Sequence, residues 1–121
     1  MGKYADNNPI ETGLKKTMNP LKEKLVESLV IFDGAIGTEI YRRNFFINAS
    51  FEQLSITNPD VILDIHNEYL KAGAEVLTTN TFNANARRLS HFGLADQTVA
   101  INRAGVELAR RAADGRALVA G

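Results

Sequence analysis

The chain has 121 residues with 14 basic and 14 acidic side chains, so its formal net charge at neutral pH is zero. A balanced charge gives no electrostatic footprint for nucleic acid, and no apolar run approaches the roughly 18 residues that span a bilayer. The chain contains no cysteine, which excludes disulfides and thiolate ligands within these residues. We therefore expect a cytoplasmic globular protein with neither a nucleic-acid nor a membrane partner.

The amino-terminal residues 1–18 are polar, contain proline and glycine breakers and show no hydrophobic periodicity, which predicts a disordered leader. Met18 is an alternative start of the natural chain. Asn19 followed by Pro20 is typical of a helix start, with a capping residue before proline at the first helical position. An apolar side chain then recurs every fourth residue, at Leu21, Leu25 and Leu29. This spacing predicts a short helix whose apolar face plugs or flanks the first strand.

The first strand is predicted at residues 29–32, an apolar run of the kind that is buried on both faces of a parallel sheet. An acid ends this run, and two glycines then let the backbone turn sharply. Because α/β proteins bind ligands at this edge of the sheet, the loop is a candidate substrate cradle, with amides for a carboxylate and an acid for an ammonium group. The alternative is a glycine turn whose acid caps the next helix. The candidate residues are Asp33, Gly34, Ala35, Ile36, Gly37 and Thr38.

A turn of helix is predicted at residues 39–43, and a longer helix begins at residues 58–60, where asparagine, proline and aspartate follow one another. Gly73 ends this helix. Its predicted buried stripe consists of Val61, Ile62, Ile65, Tyr69 and Ala72. His66 has no second histidine at metal-ligand spacing, so we expect it to be a surface or half-buried side chain rather than a metal ligand.

The second strand is predicted at residues 75–82, and its polar end lies at the same edge of the sheet as the glycine loop. Thr79, Asn80 and Thr81 are therefore further candidates for ligand binding. Strand alternation predicts that Asn80 faces away from both threonines, so that not all of these side chains line one cavity. Polar groups at this position either contact a ligand or tie neighbouring loops together, and the pattern leaves both roles open. The residues just beyond are expected to be loop scaffold: Asn83, Asn85 and Arg87.

The carboxy-terminal part predicts a broken helix at residues 84–90, a long helix at 96–113 and a third buried strand at 117–121. One apolar face of the long helix is formed by Ile101, Ala104, Gly105, Leu108 and Ala112. The resulting order is β-α-β-α-β, an α/β arrangement with parallel, right-handed crossovers. Three parallel strands leave faces and edges uncovered. We therefore expect residues 19–121 to be the truncated first portion of a TIM-type (β/α)₈ barrel.

Two long motifs give the chain a resemblance to a known family. They are Asp-Gly-Ala-Ile-Gly-Thr-Glu at residues 33–39 and Ala-Gly-Ala-Glu-Val-Leu-Thr-Thr-Asn-Thr-Phe-Asn-Ala-Asn at residues 72–85. Between them lie Asn-Pro-Asp-Val-Ile at 58–62 and His-Asn-Glu-Tyr-Leu at 66–70. Together these motifs closely resemble the start of the homocysteine S-methyltransferase domain, and the resemblance covers about residues 29–121.

The resemblance implies a (β/α)₈ barrel in which zinc, held by three cysteines on later strands, binds the homocysteine thiolate. That thiolate takes a methyl group from a donor such as methyltetrahydrofolate or methylcobalamin, giving methionine. Asp33 and residues 34–38 would hold the amino-acid end of homocysteine, and Thr79, Asn80 and Thr81 would line the same pocket. The resemblance assigns no catalytic residue or metal ligand to this chain, so the chain alone is expected to be inactive without the remainder of the barrel.

Two other interpretations remain open at this point. The first is a different α/β-barrel enzyme that acts on a small amino acid. The second is a natural non-catalytic α/β protein, either a binding module or a decayed remnant of an enzyme. Such a protein would need to oligomerise to cover its exposed strand edges. The alternatives differ in what they predict for the metal, the substrate and the oligomeric state.

Overall fold

The computed structural model describes residues 19–46 and 48–121, so the predicted leader at residues 1–18 lies outside the described residues. Short helices precede a longer pair of helices, each of which leads into a strand. No helix in the described part of the chain combines the length and apolar character needed to cross a membrane. The elements are α1 (Pro20–Glu27), α2 (Ile36–Arg42), α3 (Leu54–Thr57), α4 (Pro59–Lys71), β1 (Val76–Thr78), α5 (Ala86–Leu89), two 3₁₀ turns (Ser90–Phe92 and Ala95–Gln97), α6 (Thr98–Ala113) and β2 (Leu118–Ala120).

The sheet is parallel, as predicted, with β1 in the middle. On one side β1 pairs with β2, placing Val76 opposite Leu118. On the other side Phe32 forms an isolated parallel bridge with Val76. Hydrogen bonds continue this pairing, because the amide of Glu75 donates to the carbonyl of Ile31 at 2.7 Å. The α/β class and the parallel arrangement are therefore confirmed, with α6 as the crossover between β1 and β2.

The predicted first strand is wrong in its extent and in its burial. Residues 29–32 contribute one bridge and no regular strand. Ile31 is 58% exposed and Phe32 is 45% exposed, so this segment is not buried on both faces. An apolar run predicts burial only if another layer packs on it, and nothing in the described residues covers this segment completely.

The second strand is also shorter than predicted. β1 ends at Thr78, and the chain then turns, with the amide of Thr81 donating to the carbonyl of Thr79 at 2.9 Å. The polar residues predicted to continue the strand therefore belong to a loop.

The core lies where α4 and α6 pack together and against the sheet. The fully buried Ile62 and Ile65 of α4 cluster with Leu108 of α6, whereas Ile101 of α6 is buried in a separate cluster with Leu89. The predicted stripe is correct at these α4 positions but wrong at Ala72, which is exposed because α4 ends at Lys71. The predicted face of α6 is confirmed, since its members are buried or partly buried.

Helix α1 is held by charge rather than by the predicted apolar face. None of its residues is buried, and Leu25 is 55% exposed. Nζ of Lys24 instead donates to Oε1 of Glu75 at 2.9 Å, and Oε2 of Glu75 accepts from the amide of Ile31 at 3.1 Å. The hydrogen bond from Lys24 is the main reason that the pKa of Glu75 is lowered. Glu75 thereby ties α1 to the beginning of the sheet.

Candidate functional site

A pocket of about 330 Å³ lies between the loop that follows Phe32 and the loop that follows β1. We call it the glycine-loop pocket. All of the predicted site residues except Asp33 and Thr38 line it. Phe51, Glu52 and Phe82 line it as well, although the sequence analysis did not select them. The two motifs therefore meet at one cavity at the carboxyl edge of the parallel segments, where α/β folds bind ligands.

The prediction that residues 79–81 cannot all line one cavity is wrong. Thr79, Asn80 and Thr81 all line the glycine-loop pocket. Alternation requires a continuous strand, and the strand ends at Thr78. The following turn brings the hydroxyl oxygens of Thr79 and Thr81 within 2.7 Å of each other, so one donates to the other.

Two hydrogen bonds, which we call the strap, join the carboxylate of Asp33 in the glycine loop to β1. Its Oδ2 accepts from the amide of Thr78 at 2.8 Å, and its Oδ1 accepts from the hydroxyl of Thr78 at 2.7 Å. The alternative role as a helix cap is wrong, because Ala35 is the N-cap of α2 and no side chain caps that helix. Each carboxylate oxygen can accept a second hydrogen bond, so the strap leaves acceptor capacity for a ligand.

Tyr69 of α4 supports the glycine loop from below. Its hydroxyl donates to the carbonyl of Ala35 at 3.0 Å. A Cβ atom at position 34 would lie 2.8 Å from the Tyr69 oxygen, which is too close for any residue but glycine without a shift. Burial is the main cause that raises the pKa of Tyr69, so the phenol keeps the proton that it donates.

Two buried polar side chains join the opposite wall of the pocket to the segment before α3. Nδ2 of Asn80 donates to the carbonyl of Phe51 at 2.8 Å and lies 3.2 Å from the hydroxyl of Ser55. Glu52 accepts from the hydroxyl of Ser50 at 2.9 Å and from the amide of Asn83 at 3.1 Å. Of the roles left open for the polar residues after β1, Asn80 thus ties loops together while also lining the pocket.

His66 differs from its prediction. The side chain is fully buried rather than on the surface or half-buried, and neither ring nitrogen has a hydrogen-bond partner among the described residues. Burial lowers the pKa of His66, and the nearby negative charge of Asp33 opposes that effect. The imidazole is therefore stabilised in its neutral form beneath the glycine loop.

The zinc implied by the family resemblance does not fit the residues of this chain. The sequence has no cysteine, and residues 19–46 and 48–121 contain no group of three or more metal-ligating side chains. Among these same residues, no set of metal ligands surrounds the buried imidazole of His66. The described residues therefore supply no zinc site of their own.

Known proteins match both the sequence and the structure. The metallated form of the homocysteine methyltransferase MmuM from Escherichia coli superimposes with a TM-score of 0.74 at 31% identity, over 85% of this chain and 40% of that chain. Its oxidized form gives a TM-score of 0.73 at 30% identity. Methionine synthase from Mycobacterium leprae is 34% identical over 100 residues, and that from Mycobacterium tuberculosis is 33% identical over 100 residues.

These matches cover only part of each relative. The aligned region is 78% of this chain but 8% of each mycobacterial methionine synthase. The family model for homocysteine S-methyltransferase, by contrast, matches residues 30–121, which are most of the chain and contain both loops of the glycine-loop pocket. The chain therefore belongs to the homocysteine S-methyltransferase family.

Proposed function

We propose that residues 19–121 form the first portion of a (β/α)₈ barrel in a zinc-dependent homocysteine S-methyltransferase that produces methionine. The glycine-loop pocket carries this proposal, because it is built from two family motifs at the carboxyl edge of parallel segments. The Escherichia coli relative is by its name a homocysteine methyltransferase, and the mycobacterial relatives are methionine synthases. Those names support a thiol-methylating enzyme with homocysteine as its substrate.

The role of this segment is to position the amino-acid end of homocysteine. We assign the ammonium group to Asp33, which does not line the pocket itself but is hydrogen-bonded to Thr78, which does, and whose carboxylate retains acceptor capacity. We assign the substrate carboxylate to the backbone of residues 34–38 and to the hydroxyls of Thr79 and Thr81. Charged groups pair best with such donors and acceptors where water is limited. The side chain of homocysteine then points away from the loops toward the rest of the barrel.

The metal and the methyl donor belong to parts of the protein that this chain does not contain. We assign the zinc ligands to cysteines on later strands of the barrel, since the described residues supply none. The donor, either methyltetrahydrofolate or methylcobalamin, would approach from the open side of the pocket. In the source cells we expect an intact polypeptide that is much longer than these 121 residues.

Calorimetric titration of the 121-residue chain tests the positioning role. We expect L-homocysteine to bind, and 4-mercaptobutanoate, which lacks the ammonium group, to bind at least ~10-fold more weakly because one charge-assisted hydrogen bond is lost. Asp33→Asn should remove this preference. Asp60→Asn is a matched control, because Asp60 is exposed at the start of α4.

A second control separates the hydrogen bond between Thr78 and Asp33 from the charge of Asp33. Thr78→Val removes the hydroxyl that donates to Asp33 but leaves the carboxylate in place. We expect this variant to be less stable and still to prefer homocysteine. Equal affinity for both ligands in the unmodified chain would contradict the proposed role of Asp33 and the glycine loop.

A further inference from the structure

We infer that a second pocket beside the glycine-loop pocket binds a ligand with a planar apolar body and an anionic group, such as an aromatic carboxylate. This aromatic pocket has a volume of about 230 Å³ and shares Phe51, Glu52 and Asn83 with the glycine-loop pocket. Residues 33–38 and 79–81, to which we assign homocysteine, do not line it. The inference therefore goes beyond the proposed function and can fail separately from it.

The walls of the aromatic pocket suit a flat ring. Tyr41 and Phe51 pack edge to face, with ring centroids 5.4 Å apart and planes at 87°. Phe92 adds a further ring, and the buried Leu89 also lines the pocket. Tyr41 and Phe92 leave much of their surface exposed, although large aromatic side chains gain most when covered. A planar ligand would cover these surfaces and pack in the offset or edge-to-face geometry that rings prefer.

Arginine side chains lie at and beside the aromatic pocket. Arg88 lines this pocket and also an adjoining depression of about 490 Å³, which Arg87 and His91 line as well. Within the described part of the chain neither arginine forms a salt bridge, whereas Arg42 and Arg43 of the α2 end do. A guanidinium group without a carboxylate partner can bind one from a ligand, in a planar two-point geometry.

Glu52 fixes the direction in which such a ligand binds. Its carboxylate is buried and shared with the glycine-loop pocket, and it accepts hydrogen bonds only from Ser50 and Asn83 among the described residues. A carboxylate at this position repels a nearby anion and attracts a donor or a cation. The anionic group therefore lies at Arg88, and a ring that also carries an ammonium group opposite the carboxylate fits best.

Titrations of the full 121-residue chain, followed by NMR of backbone amides and arginine side chains, test this inference. The probes are benzoate, neutral benzamide and 4-(aminomethyl)benzoate. We expect benzoate to shift signals of Phe51, Arg88 and Phe92, and to bind ~10-fold more tightly than benzamide because it gains a charge-assisted hydrogen bond. 4-(Aminomethyl)benzoate should bind more tightly than benzoate, since its ammonium group reaches Glu52.

Substitutions test separately how the charge of Arg88 and the aromatic wall contribute to binding of the probes. Arg88→Gln should weaken both carboxylates by ~10-fold and leave benzamide unchanged. Arg111→Gln, at an exposed position in the last turn of α6, is the matched control and should change nothing. Phe92→Leu should weaken all probes. Arg88 is exposed, so the melting curve of Arg88→Gln should match that of the unmodified chain.

Other results would overturn the inference. Equal affinities for benzoate and benzamide, signals that shift away from the aromatic pocket, or equal losses in Arg88→Gln and Arg111→Gln would each refute it. Homocysteine titrated against Arg88→Gln distinguishes the two proposals. Unchanged homocysteine binding is expected, because Arg88 does not line the glycine-loop pocket.

Discussion

The contact between Gly34 and Tyr69 gives a sharp test of how α4 shapes the candidate site. In Gly34→Ala the new methyl carbon would lie 2.8 Å from the hydroxyl oxygen of Tyr69 and 3.1 Å from a ring carbon. Favourable contacts lie at about 3.5–4.0 Å, so the ring or the loop must move. Insertion of a methyl group into a packed site costs about 1–3 kcal/mol, and loss of the hydrogen bond to Ala35 adds about 1 kcal/mol.

A second glycine of the same loop is the natural control. A Cβ atom at position 37 would lie 3.8 Å from the ring of Phe51, an ordinary contact. Gly37 is also inside α2, where alanine is favoured over glycine by up to ~1 kcal/mol. We therefore expect urea unfolding to show a loss of about 2–4 kcal/mol in Gly34→Ala and a small gain in Gly37→Ala.

A double-mutant cycle identifies the cause of the loss. Tyr69→Leu removes the ring and hydroxyl that the new methyl group would meet. In that background Gly34→Ala should cost little, giving a coupling free energy of about 2–4 kcal/mol, close to the full loss. If Gly34→Ala costs the same with tyrosine and with leucine at position 69, the close approach is not the reason for the glycine and this explanation fails.

Three further perturbations follow from the contacts described. Asn80→Ala should lower the unfolding free energy by about 1–3 kcal/mol in a urea titration, because it removes the two hydrogen bonds that this buried side chain donates to Phe51 and Ser55, whereas Asn67→Ala on α4 should cost little. The pKa of His66 is lowered in the folded protein, so below the ordinary value of 6.5 the unfolded chain binds more protons than the folded chain. The free energy of unfolding should therefore fall on acidification, by at most ~1.4 kcal/mol per pH unit. His66→Leu should remove that pH dependence in melting curves, and His91→Gln at an exposed position should retain it. Lys24→Met should increase hydrogen exchange of α1 alone, since this helix has no buried residue and depends on the ion pair with Glu75.

Local signals in the sequence predicted the elements whose causes are local. Asn58 and Pro59 mark the start of α4, and the apolar spacing of residues 101–112 marks the buried face of α6. These features depend on backbone caps and on a helical period, which a single segment determines. The alternation of helices and extended segments was sufficient to predict a parallel sheet.

Burial was predicted less well, because it depends on what packs against a segment. The apolar run at residues 29–32 has the composition of a buried strand, yet Ile31 and Phe32 remain largely exposed. The leucine spacing of α1 likewise suggests an apolar contact, whereas an ion pair holds the helix. Such exposed apolar surface is consistent with the proposal that further strands of a barrel pack here.

The residues of the candidate site also fall into those that a local sequence pattern indicates and those that depend on distant contacts. Asp33 and residues 79–81 were selected because polar residues that follow a strand-like apolar run have a positional meaning in α/β folds, and of these only residues 79–81 line the glycine-loop pocket. Glu52 and Tyr69 were missed because their contacts join positions 31 and 34 residues apart. No local spacing pattern in a sequence predicts contacts between such distant positions. A buried acid and a tyrosine in a helical stripe have the same local patterns whether or not they support a loop.

Three supporting side chains fix the loops of the glycine-loop pocket in the way that the proposed substrate binding requires. Backbone amides and threonine hydroxyls bind a substrate well only if their positions are fixed before it arrives. Here Asp33 fixes the glycine loop to β1, Tyr69 fixes it to α4, and Asn80 fixes the opposite wall to the segment before α3. Each of these contacts lies within the described residues and involves no metal. Under the proposed function, positioning of the substrate is built into this part of the fold, while activation of the thiol is assigned to residues elsewhere.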